Sequence, residues 1–365
     1  MESRSLFRSI IHSETTDIIV KYVFPELWLL WRSFESARLR RRRLPAVATA
    51  HQNSQKSWQN SLQRKAEIHN GTDSSREVAV GWAFGHKVYT PEDLERDLSG
   101  IVGLEHVKES IRDIYFTIRT NQERKLRGLQ TTQQSLHMVF LGNPGTGKTT
   151  VARLMGEMFR RMGVLSKGHF VETDPTGLIA EHLGQTGPKT FKKIKEAMGG
   201  VLFIDEAYAL IDMERPDINT FGKEAISVLI KAMEDYRENL CVIYAGYKEE
   251  MEAFLDINPG MKSRIPFVIE FEDYRPEELV QIFCLECSKR QYRITPEGEA
   301  YLLDLFDRNL GNMRTLGNGR FARNVLEAAI TQQARRLGSM TTVASTEDLL
   351  VLAVEDLRAW ELKRG

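Results

Sequence analysis

Two short stretches of this chain carry residue types whose order points to chemistry. Gly142-Asn143-Pro144-Gly145-Thr146-Gly147-Lys148-Thr149 spells the phosphate-binding pattern G-x-x-x-x-G-K-[ST] in full. Its glycines allow backbone conformations that turn N–H groups inward toward phosphate, and the start of a following helix adds partial positive charge. Lys148 can reach the β- and γ-phosphates of a nucleotide, and the Thr149 hydroxyl can ligate Mg²⁺. Thr150 stands where a dinucleotide-binding loop needs its third glycine, so that alternative falls away. The second stretch is Asp205-Glu206, directly after the apolar run Val201–Ile204 and 57 positions beyond Lys148. Two carboxylates do not belong in a core. At the end of a buried strand, Asp205 can hold the Mg²⁺ shell while Glu206 polarises a water against a γ-phosphate. The pair therefore implies hydrolysis as well as binding.

Such groups work only if strands and helices hold them, and the flanking sequence has that texture. Leu136–Leu141, His169–Glu172, Val201–Ile204, Cys241–Ala245 and Val268–Phe271 read as five strands. VLFI and CVIYA are continuous apolar runs, as expected of parallel strands covered on both faces. Between them, Val151, Leu154, Met155, Met158, Phe159 and Met162 recur at helical spacing, and so do Ala225, Val228, Leu229, Ala232, Met233 and Tyr236. After Tyr274 helical patterns take over, at Pro276–Arg290, Pro296–Asn309 and Arg320–Leu337. The expectation is an α/β nucleotide-binding domain followed by a separate all-α unit.

In this order the chain also contains VGLEHVKESI (Val102–Ile111), GNPGTGKTT (Gly142–Thr150), GGVLFIDEAYAL (Gly199–Leu210), VIYAGY (Val242–Tyr247), NPGMKSRI (Asn258–Ile265) and GNGRFARN (Gly317–Asn324). Together these resemble the AAA+ ATPases of the CbbX / stage V sporulation protein K family, over roughly residues 90–340. The resemblance implies a P-loop NTPase αβα sandwich with a five-stranded parallel sheet over 91–272 and a small helical lid over 273–365. Residues 1–90 lie outside it as a basic helical extension and polar linker. It further implies a homo-hexameric ring that uses ATP and Mg²⁺ to thread or remodel a protein. By position, Gly142–Thr150 would hold the phosphates, Val102 and Gly103 would line the adenine pocket, and Arg320 would be the lid arginine called sensor 2. Arg264 would be an arginine finger reaching the neighbouring subunit's site. A guanidinium suits charge spreading over a transferred phosphoryl group, and supplying one in trans ties hydrolysis to assembly. Tyr247 occupies the place of the usual polar sensor 1. The loop Thr176–Thr190 resembles the central pore loop, with His182-Leu183-Gly184 where Rubisco-activating members show an aromatic-aliphatic-glycine triplet. An imidazole offers less apolar surface and charges near neutral pH, so its grip on a threaded peptide would be weaker or pH-sensitive. An alternative is therefore a nucleotide-dependent assembly switch or scaffold that pulls nothing.

Composition sets outer bounds. The chain has 365 residues, 42% hydrophobic and 27% charged, enough for two or three packed domains. Residues 1–90 hold fourteen Lys and Arg against eight Asp and Glu, and residues 91–365 hold 36 against 42. A neutral total thus conceals a basic segment joined to an acidic one. No helix-turn-helix signature accompanies the basic segment, and nucleic acid is not expected as a partner. Its arginine run at 38–43 reads as a solvated flank, and the aromatic cluster around Trp28 and Trp31 is compatible with a docking helix. Three cysteines (Cys241, Cys284, Cys287), no span of about 20 apolar residues and no signal-peptide pattern fit a cytoplasmic protein. Cys284 and Cys287 have zinc half-site spacing, but no second pair follows, and they read as two small residues one turn apart on a helix.

Overall fold

The computed structural model describes residues 89–131, 135–182, 184–211, 220–340 and 344–362. The arginine run, Trp28, Trp31 and Leu183 lie outside the described residues. All of the described residues belong to one compact unit, Gly81–Gly365.

Helices α1 (Pro91–Ser99) and α2 (Glu105–Leu126) precede strand β1 (Met138–Gly142) and helix α3 (Lys148–Arg161). Thr90 and Asp93 form a capping box that starts α1, with proline in its first turn. A hydrogen bond from Arg96 holds the Asp93 carboxyl down at about 2. Strand β2 (Phe170–Thr173), helix α4 (Thr186–Ala197), strand β3 (Val201–Ile204) and helix α5 (Thr220–Asp235) follow. Strand β4 (Cys241–Gly246), helix α6 (Lys248–Ile257) and strand β5 (Phe267–Phe271) complete the layer. The five strands pair in parallel in the order β2-β3-β4-β1-β5.

Alternation along each strand divides the core between the two faces of the sheet. Met138, Phe140, Phe203, Ile243 and Phe271 pack with Leu94, Ile111, Val151, Met155 and Phe159 from α1, α2 and α3. Val139, Leu141, Leu202, Ile204 and Tyr244 pack on the other side with Ile194, Ala225, Leu229, Met251 and Phe254. Both faces are covered at the inner strands β3, β4 and β1, which is why these read as unbroken apolar runs, whereas the edge strands β2 and β5 expose Glu172, Val268 and Glu270. The two helical stripes seen in the sequence are the inward faces of α3 and α5.

A third core belongs to the lid: helices α7 (Pro276–Lys289), α8 (Pro296–Arg308) and α9 (Gly319–Gly338) bury Leu279, Phe283, Phe306, Phe321 and Val325 among themselves. The lid core is helical as expected, and to it the structure adds a two-residue parallel ladder of β6 (Arg293–Ile294) with β7 (Val351–Leu352). Pairs this short, 58 positions apart, leave no periodicity to read. Cys287 is buried in this core and Cys284 packs against it. Burial pushes the Cys287 thiol up to about 12. Among the described residues no group of three or more His, Cys, Asp or Glu could hold a metal ion. None of their helices is long and apolar enough to cross a membrane.

Candidate active site

β1 ends at Gly142, the loop turns over Asn143–Gly147, and α3 begins at Lys148. Gly147 precedes α3 at φ 96°, so no side chain caps the first turn of that helix. Gly145 has φ +74°, and a Cβ there would fall 2.0 Å from the Gly317 carbonyl oxygen of the lid. Only glycine satisfies both conditions. Inside the loop, the Thr146 hydroxyl donates to the Asn143 carbonyl at 2.8 Å. The Lys148 ammonium donates to the Gly142 carbonyl at 2.7 Å and the Asn143 carbonyl at 2.8 Å. Thr149 is half-buried on the first turn, and Thr150 is exposed.

Asp205 and Glu206 leave the carboxyl end of β3. The Asp205 N–H donates to Thr173 of β2 at 2.9 Å, extending the ladder by one residue and setting where the carboxylate emerges. Glu206 takes a left-handed backbone at φ 50°, its N–H donating to Asp205 Oδ1 at 3.2 Å. That turn carries the chain off the sheet while both acids remain half-buried. Burial lowers the affinity of Lys148 for its proton. The charges of Asp205 and Glu206 oppose this, Arg320 reinforces it, and Asp273 opposes it again. Four of the residues singled out in the sequence (Lys148, Asp205, Glu206 and Arg320) therefore share one electrostatic neighbourhood.

The lid reaches the loop through residues that no sequence motif had assigned a role. Asn318, fully buried, donates to Asp273 at 2.8 Å and to the Pro144 carbonyl at 3.4 Å, and accepts from the Tyr274 N–H at 3.0 Å. Asp273 also accepts from Asn143 at 2.9 and 3.0 Å, and Tyr274 donates its hydroxyl to the Thr146 carbonyl at 3.1 Å. The Gly319 N–H donates to the Gly145 carbonyl at 3.1 Å. Arg320, exposed, follows at the first turn of α9. Val102 packs partly buried against the lid core, and a Cβ on Gly103 would lie 2.5 Å from the Glu278 carboxylate of α7. The α1–α2 turn thus sits where the two domains meet.

Arg264 is not brought to this cluster. Its guanidinium donates to Glu234 of α5 at 3.1 Å and to the Gly260 carbonyl at 2.7 Å, and its own carbonyl accepts from Ser135 at 2.9 Å. His182 is exposed in the loop before α4.

The loop backbone curls round Lys148 at the N-terminal end of α3, an arrangement that suits an anion such as phosphate. The Thr149 hydroxyl and the Asp205 carboxylate are hard oxygen donors of the type Mg²⁺ takes.

Residues 138–273 match the model for the ATPase family associated with various cellular activities (AAA), and residues 275–364 match that for the AAA lid domain. The chain is 43% identical over 276 residues to stage V sporulation protein K of Bacillus subtilis, covering 75% of this chain and 84% of that one. It is 41% identical over 268 residues to the chloroplastic ribulose bisphosphate carboxylase/oxygenase activase of Cyanidioschyzon merolae, covering 73% and 89%. With protein CbbX of Cereibacter sphaeroides it shares 41% identity over 276 residues, covering 75% and 87%. Among solved structures, the FIGL-1 AAA domain aligns with a TM-score of 0.52 at 18% identity, covering 72% of this chain and 82% of that one, a likeness of fold alone.

Proposed function

The chain belongs to the AAA ATPase family that includes stage V sporulation protein K and CbbX, and from this membership we propose that it binds ATP with Mg²⁺, hydrolyses it, and as a homo-hexameric ring remodels a protein partner. The observation that carries the reading is the placement of the Lys148 loop and of Asp205-Glu206 at the carboxyl ends of β1 and β3 in one parallel sheet, with the start of α9, where Arg320 sits, hydrogen-bonded to that loop through the Gly319 N–H. In this reading the loop N–H groups of Gly142–Thr150 and the Lys148 ammonium take the β- and γ-phosphates. Thr149 and Asp205 would hold Mg²⁺, which when bound neutralises charge on those phosphates. Glu206 orients a water toward the γ-phosphate and accepts its proton, Arg320 stabilises the charge that develops, and Val102 and Gly103 border the adenine. Arg264, engaged with Glu234 rather than with its own loop, serves the next subunit's site. One relative is named an activase of an enzyme, which supports a protein as the partner.

Glu206→Gln tests the chemistry. ATP affinity should stay within about twofold while turnover drops by about 10²- to 10⁴-fold. Normal turnover in that variant would remove Glu206 as the base. For the shared site, Arg264→Ala and Lys148→Ala chains should each be inactive alone and partly active when mixed, because the first then lends an intact loop and the second an intact finger. Absence of rescue sinks the trans assignment.

The second reading, an assembly switch without threading, is favoured by the exposed imidazole of His182 where an aromatic grip would be expected. Replacing His182 and Leu183 by alanine separates the two. Loss of partner-stimulated turnover supports threading, and unchanged turnover supports the switch.

A further inference from the structure

Residues 345–362 run back along α9 toward the candidate active site, in packing that the proposed chemistry does not use. The segment is tied down at the far end of that helix. There Gln333 donates to the Asp348 and Val351 carbonyls at 2.9 Å each, and Arg336 makes paired bonds of 3.0 and 2.8 Å with the fully buried Asp356. Leu352 and Leu357 then enter the lid core. The segment finishes on the short helix Ala359–Leu362, whose Trp360 places its ring 4.7 Å from that of Phe321. Phe321, fully buried, stands on the first turn of α9, with the Phe306 ring edge-on to it at 5.1 Å. Arg320 is the residue immediately before it.

The entry to this turn is strained. Gly317 and Asn318 take φ of 83° and 47°, and a ψ of −117° puts Asn318 in a region that suits glycine. Such a backbone persists only where its surroundings hold it. The side-chain bonds of Asn318 to Asp273, Pro144 and Tyr274 fix one flank, and the clamp on Phe321 fixes the other. Successive positions on a helix point about 100° apart, so clamping Phe321 also sets the direction in which the exposed Arg320 leaves the turn. We propose that Trp360 is a positioning residue for hydrolysis: by holding Phe321 against Phe306, it aims Arg320 toward the phosphate loop to which Gly319 is bonded. The inference rests on the reading of Arg320 as the group that stabilises the developing charge.

The test is steady-state ATP hydrolysis by the full chain with Mg²⁺, at a temperature where circular dichroism shows every variant folded. Trp360→Ala should lower kcat about tenfold with KM within about threefold, a loss confined to the transition state. Trp360→Phe keeps a ring against Phe321 and should retain at least about half of the activity. Arg320→Ala should cost more than Trp360→Ala, and adding Trp360→Ala to it should cost less than about twofold further, because the aim of a missing guanidinium has no consequence. If Trp360→Ala does not fold, Trp360→Leu, which retains apolar packing without a ring face, should still lose about threefold in kcat. A purely structural Trp360 would lower the melting temperature and leave kcat of the folded chain unchanged, or would multiply with Arg320→Ala. Either result overturns the positioning role while the reading of Arg320 stands. If Arg320→Ala itself hydrolyses ATP normally, the reading of Arg320 has failed, and the positioning role falls with it.

Discussion

The phosphate loop and the lid meet at one site but are held by different means. On the sheet side the chemistry is local in the chain: eight consecutive residues form the loop, and an adjacent pair of acids follows β3. Backbone pairing places them, through the β1–β4 and β3–β4 registers and the Asp205 N–H bond to β2. The lid grips the same loop through single side chains, above all Asn318, whose partners Asp273, Tyr274 and Pro144 lie 45, 44 and 174 positions away. Strand register changes only if the domain unfolds, whereas three side-chain hydrogen bonds can be exchanged while both cores stay packed. The sheet half is therefore suited to holding the nucleotide, and the lid half to reporting or responding to it.

The harshest way to break this contrast is to strike the point where both halves touch. Gly145→Ala places a methyl against the Gly317 carbonyl, in a backbone region costly for alanine, so loop and lid cannot both keep their positions. Nucleotide affinity should fall by about 100-fold or more while far-ultraviolet dichroism stays unchanged, and a titration with a fluorescent ATP analogue measures it. A variant that binds normally would mean that the lid contact is dispensable.

A pH titration of stability distinguishes the two cores. His137 is fully buried at the start of β1, between the Met233 carbonyl at 2.9 Å and the Val242 N–H at 3.0 Å. Burial lowers its folded pKa to about 4 from 6.5. The neutral ring therefore contributes stability above pH 6.5 that is lost as pH falls from there toward 4. Between pH 7.5 and 5 the nucleotide domain should lose about 2 kcal/mol relative to His137→Gln, read from urea midpoints. No histidine follows His182, so a separate lid transition should not show this step.

Asn318→Ala should have a smaller effect, removing the side-chain bridge while leaving the sheet half untouched. Affinity for ATP should weaken about tenfold, the equivalent of one or two net hydrogen bonds, with the melting of the nucleotide domain unchanged. A loss as large as that of Gly145→Ala would erase the distinction drawn here between holding and responding.

The same contrast explains what could be read from the sequence. The loop, the acids and the five strands are contiguous signals, and the strand limits expected from apolar runs differ from those observed by at most two residues at an end. Lid helices α7, α8 and α9 likewise begin or end within one residue of expectation. Helix α2 carries a helical stripe of the same kind, Val107, Ile111, Ile114, Tyr115 and Ile118, with pairs such as Arg112 and Glu95 on its outer face, while the shorter α1 offers only Leu94 and Leu98. Asn318 gives no signal of its role within GNGRFARN, because that role depends on Asp273, Tyr274 and Pro144 from other segments. The β6–β7 ladder and the Arg314–Tyr247 contact arise only when distant segments fold together.

The smallest expected effect concerns Arg264. Its pair with Glu234 is part-exposed, with side chains 33% and 49% accessible, so Glu234→Gln should change stability by no more than about 0.5 kcal/mol. If Arg264 serves only its own fold, ATPase activity should be equally indifferent to Glu234. If Arg264 must leave Glu234 to reach a neighbouring site, removing that attraction should raise the activity of assembled chains about twofold to threefold and leave dilute, unassembled chains unaffected. The concentration dependence of kcat in Glu234→Gln therefore separates a resting ion pair from a structural one, because only a finger working in trans makes a substitution this mild depend on assembly.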